Sequence, residues 1–174
     1  RETKMFQKIT TRIALALTAT SMIAMAGAAD VPITGNVESK CVITTDTPGI
    51  YGNPTPNVLS TAPTDGGVNP IVRYDVIIAE AYKAVISYPE SFSSSPSLND
   101  TVTFTGGVSV SEVSDAGMSG YETDKREYNN VTEVDLTIAG STWFKVESDA
   151  DYGFDKAFPG GTYRAIVSAE CIAL

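Results

Sequence analysis

Few residues in this 174-residue chain can do chemistry: it has no histidine, two cysteines, and 21 Asp+Glu against 12 Lys+Arg. Without imidazole, Ser/His/Asp and Cys/His triads and the common zinc sites are excluded. The carboxylates fall into two settings. Asp149, Asp151 and Asp155 lie with Gly153 in "ESDADYGFD", an oxygen-rich stretch that suggests Ca²⁺. An EF-hand needs glycine at its sixth position and Glu at its twelfth, whereas Gly153 is fifth and Gly160 twelfth, so a solvated acidic turn is expected. Glu112, Glu133, Asp135 and Glu147 could supply the carboxylate pair of a glycosidase. Glu133, Asp135 and Glu147 alternate with Val134, Leu136 and Val146, however, which makes them the solvent faces of strands. The serines of "GVSVSEVS" have no activating base beside them, and no SxxK motif occurs. The only tryptophan, Trp143, adjoins Phe144, so in a regular strand one of the two rings points away from the core. An outward aromatic on an extracellular β domain can stack on a sugar ring.

The elements that must position these residues read as strands. Gly, Pro, Ser, Thr, Asn and Asp recur at short intervals, separating segments rich in Val, Ile, Thr and Tyr. Candidate strands are 31–44, 71–79, 83–88, 101–105, 107–113, 131–139, 142–147 and 162–173, with the turn-rich "YGNPTPNVLSTAPTDGG", "PESFSSSPSLND" and "SDADYGFDKAFPGG" between them. Seven or eight antiparallel strands suit an all-β sandwich, with the inward faces of 71–79, 131–139 and 162–173 as its core. "VIIAEAYKAVISY" would also suit one or two helical turns, and strand is the reading kept.

Strict alternation marks both ends of this body. Val31, Ile33, Gly35, Val37, Ser39, Cys41 and Ile43 share one face, and Tyr163, Ala165, Val167, Ala169, Cys171 and Ala173 share another. Both cysteines sit in phase with these faces. In an oxidising compartment a Cys41–Cys171 disulfide is the natural reading, with two free buried thiols as the alternative. Such a bridge needs Cα atoms about 4.4–6.8 Å apart, which makes the first and last strands neighbours.

The compartment follows from the front of the chain. Arg1, Lys4, Lys8 and Arg12 precede the apolar run "IALALTATSMIAMAG", and Ala26 and Ala28 offer the small residues of a signal-peptidase site. Residues 1–28 therefore read as a secretory signal peptide, the run being shorter than the roughly 20 apolar residues of a spanning helix. Cleavage would remove four basic groups and Glu2, a net of +3, taking the −9 of the whole chain to −12. Such an acidic product disfavours nucleic acid and anionic membrane surfaces as partners, and no second long apolar segment follows to insert in a membrane.

With Val31, Ile33, Gly35 and Val37 shortly before Cys41, and with Gly161 fourteenth from the last residue and Tyr163, Ala165, Val167 and Ala169 in phase after it, the sequence resembles the pilin subunits of bacterial chaperone-usher fimbriae. The resemblance covers the two ends of the body; Ala173 stands where that family has a penultimate aromatic, and Cys171 lies far beyond the family's usual second cysteine. It implies an immunoglobulin-like antiparallel β sandwich that lacks its last strand, with residues 29–40 as an N-terminal donor extension and 41–174 as the sandwich domain. It implies export to the periplasm and then a cell-surface filament. The partners it implies are copies of the chain or other fimbrial subunits, a periplasmic chaperone that reads the C-terminal strand, and an outer-membrane usher. No cofactor, metal or catalytic residue is implied. A secreted, monomeric β-sandwich module that binds a glycan or a surface protein is the alternative.

Overall fold

Side chains alternate across a strand, so the segments with the cleanest period of two form the centre of the molecule. In the computed structural model, residues 40–77 and 81–174 are described, and these fall in one compact unit that begins at Asn36. The expected signal peptide and the donor residues Val31, Ile33, Gly35 and Val37 lie outside the described residues. The strands are β1 (Cys41–Thr47), β2 (Gly52–Thr55), β3 (Val58–Ser60), β4 (Ile71–Val76), β5 (Tyr82–Ser87), β6 (Phe92–Ser94), β7 (Thr103–Val113), β8 (Arg126–Tyr128), β9 (Val131–Leu136), β10 (Gly140–Asp151), β11 (Arg164–Ala165) and β12 (Ser168–Ala173). One short helix, α1 (Tyr121–Asp124), follows a 3₁₀ turn at Ala116–Gly120. No described helix is long and apolar enough to cross a membrane.

All ladders are antiparallel. In the larger sheet β10 is central: β7 pairs with it from Thr142 to Asp151, while β4 and then β3 pair along its other side. Outside these lie β1, on β4, and β2, on β3. The smaller sheet has the order β12-β5-β9-β8, and β11 pairs with β6. Val72, Tyr74 and Val76 of β4 and Phe144 and Val146 of β10 share one apolar cluster with Tyr82, Ala84 and Ile86 of β5 and Val134 and Leu136 of β9. Burying each of the larger side chains contributes about 1.5–3 kcal/mol. The alternate residues face outward, where Lys83 pairs with Glu133 at 3.0 Å and Arg126 with Asp135 at 2.7 Å across neighbouring strands of the smaller sheet.

One side chain ties the two sheets by hydrogen bonds. The Tyr74 hydroxyl, on the larger sheet, donates toward Glu170 O at 3.1 Å and Val85 O at 3.3 Å on the smaller. Burial pushes its pKa well up, so it remains a donor. Both acceptors also belong to the β5–β12 ladder, so Tyr74→Phe strands no carbonyl. The expected cost is about 1 kcal/mol, read as a lower urea midpoint at unchanged slope.

The structure corrects several expectations. Twelve strands, not seven or eight, appear among the described residues: "YGNPTPNVLSTAPTDGG" contains β2 and β3, "PESFSSSPSLND" contains β6, and β8 lies between the expected segments 107–113 and 131–139. Segments 101–105 and 107–113 are one strand, since Gly106 and Gly107 keep their register against Ser148 and Glu147. Segment 142–147 extends to 140–151 and carries Asp149 and Asp151 on a strand instead of a turn. Segment 162–173 breaks at Ile166 and Val167 into β11 and β12, which pair with different neighbours. Its apolar face is only half-buried, and β12 is an edge strand among the described residues; β4, β5, β9 and β10 supply the centre of the core instead.

Candidate functional site

The two sheets are stapled at one edge. β1 borders the larger sheet and β12 the smaller, and the Cys41–Cys171 disulfide joins them with a Cα separation of 6.4 Å. Away from the staple, β1 continues through Thr45 to Pro48–Tyr51, while the chain before β12 runs back through Val167 to Gly161. Between these two walls lies a groove of about 750 Å³, and Leu59 and Val72 of the larger sheet's inner face form part of its lining. Both of those floor residues are buried, whereas Ile50 and Ile166 on the rims are each 57% exposed. The groove thus has a packed apolar floor and exposed apolar lips.

The strands that adjoin the groove, β1 and β12, also present backbone. Ile77 N donates to Lys40 O, so alternation along the β1–β4 ladder turns the N–H and C=O groups of Cys41, Ile43 and Thr45 away from β4. Leu174 N donates to Ala81 O, so the same alternation turns those of Ala169 and Cys171 away from β5. Of these residues Thr45 lines the groove, while the others lie along the strands that lead into it. An extended peptide could hydrogen-bond along such an edge.

The walls are fixed by local geometry. Ile50 and Val68 exchange backbone hydrogen bonds at 2.9 and 2.8 Å. Gly52 lies so close to the Asp65 carbonyl that a Cβ could not fit. On the opposite wall Gly161 has φ +154°, and a Cβ there would come within 2.5 Å of the Pro96 ring. Beside it, Tyr163 packs on Phe92 and Phe158 with ring centroids 5.1 and 5.2 Å apart, and its hydroxyl donates to Pro159 O at 2.6 Å. The Tyr51 and Ser148 hydroxyls share a hydrogen bond of 2.8 Å at the groove. Burial raises the Tyr51 pKa against that hydrogen bond, and Asp149 adds to the rise, so the phenol stays neutral. Tyr51, Tyr163 and Arg164 are the titratable groups of the lining.

Of the C-terminal residues singled out in sequence, Gly161, Tyr163, Ala165 and Val167 line this groove, and Ala169 packs against the core beside the staple. Val31, Ile33, Gly35 and Val37 fall outside the described residues. The opposite wall and floor, Ile50, Tyr51, Leu59 and Val72, carried no functional signal in the sequence. Asp149 and Asp151 point outward from β10 while Asp155 sits beyond its end, so the three do not converge. Among the described residues no group of three or more His, Cys, Asp or Glu could hold a metal ion. Of the acidic candidates, Glu147 pairs with Lys145 at 2.9 Å on the larger sheet, whereas Glu133 and Asp135 hold their ion pairs on the smaller one. Trp143 is the outward ring and Phe144 the buried one. No family model matches the chain, and neither a curated protein nor a solved structure matches it.

Proposed function

We propose that the chain is an immunoglobulin-like structural subunit of an extracellular fimbria, assembled by donor-strand exchange and contributing to surface adhesion. The observation that carries this reading is the groove between the Pro48–Tyr51 segment that follows β1 and the Gly161–Val167 segment that precedes β12, with Leu59 and Val72 in its apolar floor and Ile50 and Ile166 as exposed lips. The donor would be residues 29–40 of another copy, whose Val31, Ile33 and Val37 supply an alternating apolar face. Gly35 interrupts that face where a β-branched residue would pack better, which suits a constricted point that fixes register. A periplasmic chaperone would hold the groove before assembly, and an outer-membrane usher would receive the subunit.

Wild type, Gly35→Arg and a deletion of residues 29–38 are compared by electron microscopy and thermal melting. Filaments from wild type, with both variants monomeric and melting close to wild type, are the expected result. Wild-type protein that stays monomeric even with its chaperone and usher, and loses several degrees on the deletion, would overturn the reading.

A second reading, a secreted monomeric binding module, draws on Trp143. Its ring is half-exposed on the outer face of the larger sheet, its indole N–H donates to Asp46 Oδ1 at 3.4 Å, and the Arg73 guanidinium lies 6.0 Å from the ring centroid. Glycan-array binding lost on Trp143→Ala, by a protein that forms no filaments, would favour it.

A further inference from the structure

The long edge of the larger sheet is closed by a different device from the groove. β7 is an 11-residue strand that, among the described residues, pairs on one side only, with β10. From Thr103 to Ser111 it reads "TFTGGVSVS", with neither a charge nor a proline. Exposed edges of that kind recruit further strands, and natural sheets ordinarily blunt them with a charge, a proline or a covering segment. Here the blunting comes from outside the strand. The Val110 N–H, which faces away from β10, donates to Glu122 Oε2 at 2.7 Å. Two residues back, Lys125 Nζ donates to the Val108 carbonyl at 2.8 Å. Lys125 is itself held by Glu122 at 2.9 Å and Glu127 at 3.0 Å, so its three protons are all engaged. Behind them, the Tyr121 hydroxyl accepts the Thr137 and Ile138 amides at 3.0 Å each, which anchors α1 to the chain leaving β9.

We infer that Ala116–Tyr128 is an edge guard, in which Glu122 and Lys125 occupy two outward backbone groups of β7, the Val110 N–H and the Val108 C=O, and deny that edge to β7 of a second copy. The second copy is the occupant because antiparallel pairing of one edge with itself is a two-fold contact, available to any two molecules without a further partner. The guard is independent of the proposed function: it acts on the side of β10 opposite β4 and is tested without filaments.

The test uses the full exported chain with Glu122→Ala/Lys125→Ala, and with the conservative pair Glu122→Gln/Lys125→Arg. Sedimentation gives the mass, and amide hydrogen exchange locates the contact. The alanine pair should dimerise and newly protect the Phe104 and Gly106 amides, which alternation places on the same outward edge. The conservative pair keeps an acceptor and a donor and should behave as wild type. Groove-mediated assembly would leave Phe104 and Gly106 unchanged, so the two kinds of association are distinguishable. An alanine pair that melts like wild type, exchanges Val110 about tenfold to a hundredfold faster and shows no new protection at Phe104 and Gly106 would overturn the guard. Should the pair fail to fold, Glu122→Ala alone, at a side chain 44% exposed, carries the same expectation, and unchanged Phe104 and Gly106 exchange there overturns it equally.

Discussion

Replacing both cysteines, Cys41→Ser with Cys171→Ser, is expected to lower stability by about 4–5 kcal/mol, the chain-entropy value for so long a closed loop. The bridge spans 130 residues, nearly the whole described body, so its loss frees almost the entire unfolded chain. For a domain of this size the melting temperature should fall on the order of 10–20 °C. The double variant is needed because a single substitution leaves a reactive thiol. Native strain commonly reduces such gains, and a fall of only a few degrees would show that edge packing of β1 and β12, not the covalent link, holds the two sheets together. The effect also reaches the groove: among the described residues no ladder joins β1 to β12, so without the staple their spacing is set by side-chain contacts. A peptide spanning residues 29–40 should bind the disulfide-closed body more tightly than the reduced one.

Phe144→Ala is expected to cost about 3–5 kcal/mol, as for other large-to-small changes at fully buried aromatic sites. Phe144 has no exposed surface, lies opposite Val72 on β4 and Val110 on β7, and meets Tyr74 edge-on with ring centroids 5.4 Å apart. A cavity there would open between the two strands that flank β10, where rigid ladders limit collapse. The neighbouring Trp143→Ala removes a larger ring but should cost only about 1 kcal/mol, since it gives up partial burial and a cation–π contact. Urea denaturation followed by circular dichroism measures both, because the tryptophan signal is lost in one of them. Equal costs at the two positions would mean that β10 does not present its faces as described.

How much of this could be read in the chain depends on the range of the forces involved. Alternation is local, so β4, β9 and the centre of β10 were legible, as were the outward placement of Glu133, Asp135 and Glu147 and the need for one of Trp143 and Phe144 to face out. The pairing of Cys41 with Cys171 was legible too, because both fall in phase with apolar faces and no other cysteine competes. The three- and four-residue strands β2, β3, β6 and β8 were not, since so short a segment has no periodicity and becomes a strand only when a neighbour supplies its ladder. Asp149 and Asp151 looked like a turn because Ser148 and Ala150 are small; they lie on a strand because those residues pack inward beside β3 and β7. That β7 and β12 are edges among the described strands, that Glu122 and Lys125 reach the backbone of β7, and that the segments after β1 and before β12 enclose a groove are properties of strand order. The sequence by itself determined which side chains turn inward and which cysteines join; only the tertiary structure decided which backbone edges stay open, because a hydrogen-bonding edge is defined by the neighbour it lacks.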